Sequence, residues 1–205
     1  MPARTTAPLR LAGACLRLLL VMTLLLGVAY PGAVLLVGRL VPERADGSLV
    51  RVDGRVVGSA LLGQAVPEGA AGDAWFHPRP SAAGDGYDPL ASGASNLGPS
   101  SPELLALVEE RRAQVAEREG VDPAQVPPDA LTASGSGLDP HVSPAYAALQ
   151  VPRVARERGL PEEDVRALVA GATTGRALGF LGDPAVDVLA ANVALEEASA
   201  RATTR

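Results

Sequence analysis

The 205-residue chain has no lysine, one cysteine and two histidines, and all 18 of its basic side chains are arginine. From residue 40 onward, 14 arginines face all 23 carboxylates of the chain, a net charge of −9 that argues against a nucleic-acid partner. Without an amine side chain there is no Walker A lysine and no Schiff-base or Ser-Lys chemistry, and a single cysteine cannot staple the chain to itself.

The first feature in chain order is Leu18–Gly38, LLLVMTLLLGVAYPGAVLLVG, 21 residues without a charge. As a helix it would be about 31 Å long, matching a hydrocarbon core of about 30 Å. Its eight Leu and four Val supply roughly −4 to −7 kcal/mol toward insertion. Arg4, Arg10 and Arg17 precede it with no acidic residue among them, whereas Arg39 and Arg44 behind it are matched by Glu43 and Asp46. The positive-inside rule then makes residues 1–17 a short cytoplasmic N-terminus, with Cys15 beside the span, and exports residues 39–205. Gly27-Val28-Ala29 has the small-x-small spacing of a signal-peptide cleavage site. The apolar run continues nine residues beyond Ala29, however, and Pro31 lies close to the cut, so a permanent anchor fits better. Pro31 offers no N–H to the Gly27 carbonyl and predicts a kink. With Gly27, Ala29 and Ala33, it marks a candidate surface for packing against other membrane helices.

About 165 residues follow the span, enough for one domain with a real core. Strands over Ser48–Val52 and Arg55–Ser59 flank Asp53-Gly54, the two-residue signal for a type I′ hairpin, which sets Val50 opposite Val57 and Arg51 opposite Val56. Residues 73–100 carry four Pro and four Gly, a linker-like composition, yet Trp75, Phe76 and Tyr87 fall here. Disordered segments are poor in aromatics, so this reads as an ordered loop packed on the domain, of the kind that binds something. Ser101-Pro102-Glu103 opens a helix that Gly120 stops, with Leu104, Val108 and Val115 at helical spacing. A second capped start at Ser143-Pro144 runs toward Gly159 with Pro152 expected to kink or divide it. A third helix runs from Pro161-Glu162-Glu163 to near Gly171. A last helix starts at Asp183-Pro184 and reaches about Ala200, leaving a mobile tail over 201–205. The expected fold is a single N-terminal transmembrane helix plus one α+β extracytoplasmic domain.

Chemistry-bearing motifs are sparse. Thr132–Pro144, TASGSGLDPHVSP, places Ser134, Ser136, Asp139 and His141 close in sequence, and an anchored extracytoplasmic serine hydrolase is one alternative. No G-x-S-x-G elbow surrounds either serine, and a turn that caps the helix at Ser143 accounts for the same residues. His77 and His141 have neither cysteines nor H-x-x-x-H spacing, so no metal or cofactor is expected. An independent binding module is the other alternative.

Taken in order, Tyr30-Pro31, Gly58–Gln64 (GSALLGQ), Phe76–Ala82 (FHPRPSA), Tyr87-Asp88, Ser92–Leu97 (SGASNL), Thr132–Asp139 (TASGSGLD) and Gln150–Ala155 (QVPRVA) resemble the KdpC family, the small C subunit of the bacterial Kdp potassium-transporting P-type ATPase. The resemblance runs from about residue 18 to 196; Ala94 departs from it where the family usually has a second glycine. It implies an inner-membrane complex with a channel-like potassium-selecting subunit and a P-type ATPase subunit. This chain would be the accessory member, without catalytic residues. ATP would be handled by the ATPase subunit, whose ATP affinity the family is credited with raising, and potassium would be the transported ion. With the domain outside and ATP inside, such an effect would travel through the membrane partners as a coupling free energy. The loop 75–97 and the block 132–154 are the candidate contact surfaces, with Arg79, Asn96, Asp139 and Gln150 as polar anchors.

Overall fold

A computed structural model describes residues 6–67 and 69–203; Arg4, used in the orientation argument, and the last two residues of the expected tail lie outside the described residues. The chain divides into two units, residues 1–48 and 49–205.

Most of the described residues of the first unit are helical: α1 (Thr6–Leu24), a π-helical turn over Leu25–Ala29, α2 (Tyr30–Leu40) and a single turn, α3 (Pro42–Ala45). Residues 8–40 form one apolar helical run long enough to cross a membrane, and none of it is buried by the rest of the chain. Pro31 is met by a widened turn. The Tyr30 N–H reaches back five residues to the Leu25 carbonyl, and the π turn ends at Ala29, two residues before the proline, which has no N–H of its own to give. Gly27 has open space where a Cβ would stand, apart from the Thr23 methyl at 3.9 Å, and Ala29 and Ala33 are exposed.

The second unit is a mixed helix and small-sheet domain. β1 (Leu49–Val52) and β2 (Arg55–Ser59) form the expected antiparallel hairpin, and Asp53 and Gly54 take the positive φ values of 49° and 78° that a type I′ turn requires. The register corrects the sequence reading. Arg51 does pair with Val56, but Val50 pairs with Gly58, because a bulge leaves Val57 as the extra residue.

The helices follow their caps. In α4 (Pro102–Glu119) the Ser101 hydroxyl accepts the Leu104 N–H at 3.5 Å and Gly120 closes the helix at φ 69°. A two-residue strand, β3 (His141–Val142), precedes α5 (Pro144–Arg158), where Ser143 Oγ accepts the Tyr146 N–H at 3.0 Å. Pro152 does not divide α5. Both Pro152 and Ala148, whose carbonyl it leaves free, are exposed, so water can satisfy that oxygen. α6 (Glu162–Gly171) is as expected.

The C-terminal region differs from expectation. β4 (Thr173–Thr174) and β5 (Ala185–Asp187) join β3 in an antiparallel sheet of order β3-β5-β4. The last helix, α7 (Val188–Thr203), therefore starts after β5 and not at Asp183-Pro184, and the Asp187 carboxylate caps it by accepting the Ala190 N–H at 2.9 Å. Arg201, Ala202 and Thr203 of the expected tail are helical.

One core holds the domain. Val115 and Ala116 of α4, Tyr146, Val151 and Val154 of α5, Val165 and Val169 of α6, and Val188, Ala191 and Leu195 of α7 close around Phe76, which the long loop contributes at 2% exposure. The two phenylalanines of the chain thus occupy opposite environments, since Phe180 is 70% exposed. Phe76→Ala is expected to lower the unfolding free energy by about 3–5 kcal/mol, and Phe180→Ala by no more than about 0.5 kcal/mol. Urea unfolding of the detergent-solubilised chain checks the contrast.

Candidate functional site

Residues 73–97 contain no strand or helix, so their backbone groups need other partners. Side chains of α5 and α7 supply them. Arg153, 2% exposed, donates through Nη1 to the carbonyls of Asp73 and of Trp75, the latter at 3.0 Å. Arg158 Nε donates to the Ala74 carbonyl at 2.8 Å, and its guanidinium stacks 4.1 Å over the Trp75 ring. Asn192 accepts the Phe76 N–H at 2.8 Å and donates to the Phe76 carbonyl at 3.0 Å. Gln150 does the same for His77, at 2.7 and 3.1 Å. Five consecutive carbonyls, Asp73 to His77, are thereby satisfied by side chains.

The charge that does this is itself compensated. Arg153 Nε donates to Glu119 Oε2 at 2.9 Å, and Glu119, fully buried at its side chain, also receives Arg118 Nε at 2.9 Å. Arg153 Nη2 reaches Gln150 Oε1 at 2.9 Å and Arg118 Nη2 reaches the Tyr146 hydroxyl at 3.0 Å. His77 sits beside these guanidinium groups. Burial, reinforced by the charges of Arg118 and Arg153, holds its pKa down at about 3. Its Nε2 lies 3.1 Å from the Gly72 carbonyl, which can only accept, so the neutral ring carries its proton there.

Further along, the loop packs on the second candidate block. Arg79 Nη1 meets Asp139 Oδ2 at 3.2 Å, and its Nη2 donates to the Thr132 carbonyl at 3.2 Å. Ser81 Oγ donates to the Gly137 carbonyl at 2.7 Å, the Gly93 N–H to the Ser136 carbonyl at 2.9 Å, and the Gly63 N–H to the Leu138 carbonyl at 2.8 Å. Glycine is required at two of these crossings. A Cβ on Gly137 would stand 2.7 Å from the Ala83 nitrogen and the Gly93 oxygen, and one on Gly63 would stand 2.4 Å from the Tyr87 ring. Tyr87 donates its hydroxyl to the Arg79 carbonyl, and burial, then the Asp139 charge, push its pKa up.

This packing leaves a groove of about 540 Å³ lined by Leu61, Leu62, Arg79, Ser134, Ser136 and Asp139. Segments far apart in the chain meet there. Ser134 and Ser136 face each other at 3.4 Å, while His141 Nδ1 lies 3.4 Å from Asp139 Oδ1. Among the described residues no hydrogen bond links either serine to His141.

The four polar anchors separate into different roles. Arg79 and Asp139, with side chains 24% and 29% exposed, pair with each other at the groove edge. Asn96 is exposed at φ 54°, its amide donating only to the Ala94 carbonyl at 3.2 Å. Gln150 is fully buried, and its hydrogen bonds are with His77 of the loop and with Arg153. The residues the sequence reading missed are Arg153, Glu119, Arg158 and Asn192. For Arg153 the signal was there to find: Tyr146, Gln150 and Arg153 lie at i, i+4 and i+7 on the face that also carries Ala147, Val151 and Val154.

Among the described residues, then, an apolar helix long enough to cross a membrane precedes a mixed α and β domain whose long loop is fixed by side chains from its helices. The sequence matches the family described as KdpC, K+-transporting ATPase, c chain, over residues 12–197, and the chain belongs to that family. A relative from Kineococcus radiotolerans, named potassium-transporting ATPase KdpC subunit, is 63% identical over 199 residues, covering 97% of this chain and all of the relative. Relatives with the same name from Xanthomonas oryzae pv. oryzae and Beijerinckia indica are 53% and 49% identical, covering 84% and 87% of this chain and 80% and 89% of their own lengths.

The depressed pKa of His77 has a testable sign. The unfolded chain takes up a proton at this ring below about pH 6.5 while the folded one does not until about pH 3. The stability His77 permits is therefore complete above pH 6.5 and lost as pH falls, by up to about 1.4 kcal/mol per pH unit. Urea midpoints measured between pH 4 and 7 should fall less steeply for His77→Gln than for the unmodified chain.

Proposed function

We propose that the chain is a non-catalytic, single-pass accessory subunit of an ATP-driven potassium uptake pump, with its N-terminus cytoplasmic and its domain outside. The observation that carries the reading is the family match, which runs through span and domain alike. In this reading the partners are a channel-like potassium-selecting subunit and a P-type ATPase subunit. ATP binds on the ATPase subunit, potassium is cargo, and the chain holds no cofactor.

Two structural features support the assignment. No residue of the helix over 8–40 is buried, as in a helix that neighbouring membrane helices do not yet cover, and Gly27, Ala29, Pro31 and Ala33 offer close approach there. On the domain, Arg79, Asp139 and Asn96 lie at or near the surface of the groove and its loops, while Gln150 acts from beneath by fixing the loop. A higher ATP affinity of the ATPase subunit would then be a coupling free energy carried through the membrane partners, and reciprocal: nucleotide would tighten the hold on this chain by the same factor.

Asn96→Gly keeps the backbone conformation at φ 54° and removes the amide, so it separates contact from folding. Combined with Arg79→Gln, it is expected to lower recovery of pump subunits with the tagged chain several-fold while the thermal midpoint moves by no more than a few degrees. Unchanged recovery would remove these residues from the interface; a collapsed midpoint would assign them to the domain's own stability.

A further inference from the structure

Between β4 and β5 the chain leaves the domain surface as a hairpin, and every residue from Thr174 to Pro184 is exposed. Its end is built, not loose. Ala177 and Leu181 exchange both backbone hydrogen bonds at 2.9 Å, the Gly179 N–H bonds to the Arg176 carbonyl at 3.1 Å, and Arg176 pairs with Asp183 at 3.1 Å across the base. The side chains so displayed are apolar: Leu178 is 85%, Phe180 70% and Leu181 59% exposed. Phe180 is the one exposed aromatic among the described residues of the domain. Leu178 also holds φ at 55°, a left-handed conformation that side-chain-bearing residues of this kind rarely adopt.

We propose that this tip is a docking knob that inserts into an apolar cleft on another subunit of the potassium-transporting ATPase, on the side of the membrane where the domain lies. The proposal rests on the reading of the chain as a pump subunit. Charge selects a protein over lipid. Surfaces that insert into a bilayer pair apolar side chains with free cations; here the one cation, Arg176, is committed to Asp183, and the chain beyond residue 40 carries a net −9. Pre-organisation points the same way, because an aromatic and two leucines fixed on a braced turn are the anchors a receiving pocket uses best. Three side chains cover far less than the roughly 1,000 Å² of a self-sufficient interface. The knob is therefore one of several contacts, made effective by the membrane anchor, which raises its local concentration.

The test uses the full-length tagged chain co-expressed with its pump subunits, with p-benzoylphenylalanine in place of Phe180 and irradiation of intact membranes. The expected result is a covalent adduct with a pump subunit, together with a loss of about tenfold or more in complex recovery for the double substitution Leu178→Ser and Phe180→Ser. Leu105→Ser on α4, at a residue 57% exposed and outside the candidate contact surfaces, should leave recovery unchanged. Adducts with phospholipid or with a second copy of this chain, or no adduct while the chain still co-purifies with the pump, would overturn the docking assignment alone. Failure of the unmodified chain to recover any pump subunit would overturn that assignment and the subunit reading together.

Discussion

The structure of the domain depends on one buried guanidinium. Arg153 is 2% exposed and meets Glu119, Gln150 and two loop carbonyls with four of its five N–H groups. A buried ion pair is weak grounds for stability, since desolvation takes back most of the Coulomb gain. Its consequence here is specificity. The carbonyls of Asp73 and Trp75 have no strand partner, so they lie in the interior only where a donor of this reach stands behind them. Removing Arg153 would strand both the carbonyls and one side of Glu119.

From that point the loop is aligned outward. Arg158, Asn192 and Gln150 continue the pattern over Ala74, Phe76 and His77, and Phe76 fills the core beneath them. With these residues fixed, Arg79 and Ser81 are delivered to the block around Gly137 and Asp139, and the groove follows. A segment that composition would assign to a linker is thereby held as firmly as a strand, by side-chain amides and guanidinium groups doing what a neighbouring strand does elsewhere.

How much of this was legible in the sequence depended on how local the determinant is. α4, α5 and α6 could be read because their Ser or Pro starts and Gly ends are written in adjacent residues. The sheet β3-β5-β4 could not, because strands of two and three residues are too short to show a period, and Asp183-Pro184 then looked like a helix start. Val57 was misplaced because a bulge leaves no mark on an otherwise alternating strand. The order of the loop was inferred from its aromatics, but the reason for it lay on α5. Gln150 was named as a polar anchor for a partner, although burial beneath the loop is not visible in the residue itself, and Arg153 was passed over inside a run of core residues. In the span, Pro31 was visible, whereas the π turn that answers it is a choice among backbone solutions that the residue itself does not specify. Of the blocks that carried the family resemblance, Gly58–Gln64, Phe76–Ala82, Ser92–Leu97 and Thr132–Asp139 each line the groove.

The central claim is that a stretch with no regular secondary structure is locked by side chains from the helices beneath it. Native-state hydrogen exchange at the Phe76 and His77 amides tests this most directly, because each N–H is held only by a side-chain oxygen, of Asn192 or Gln150. The account predicts exchange as slow as that of core amides in α5, limited by global unfolding. Exchange at the rate of a fraying loop would contradict it.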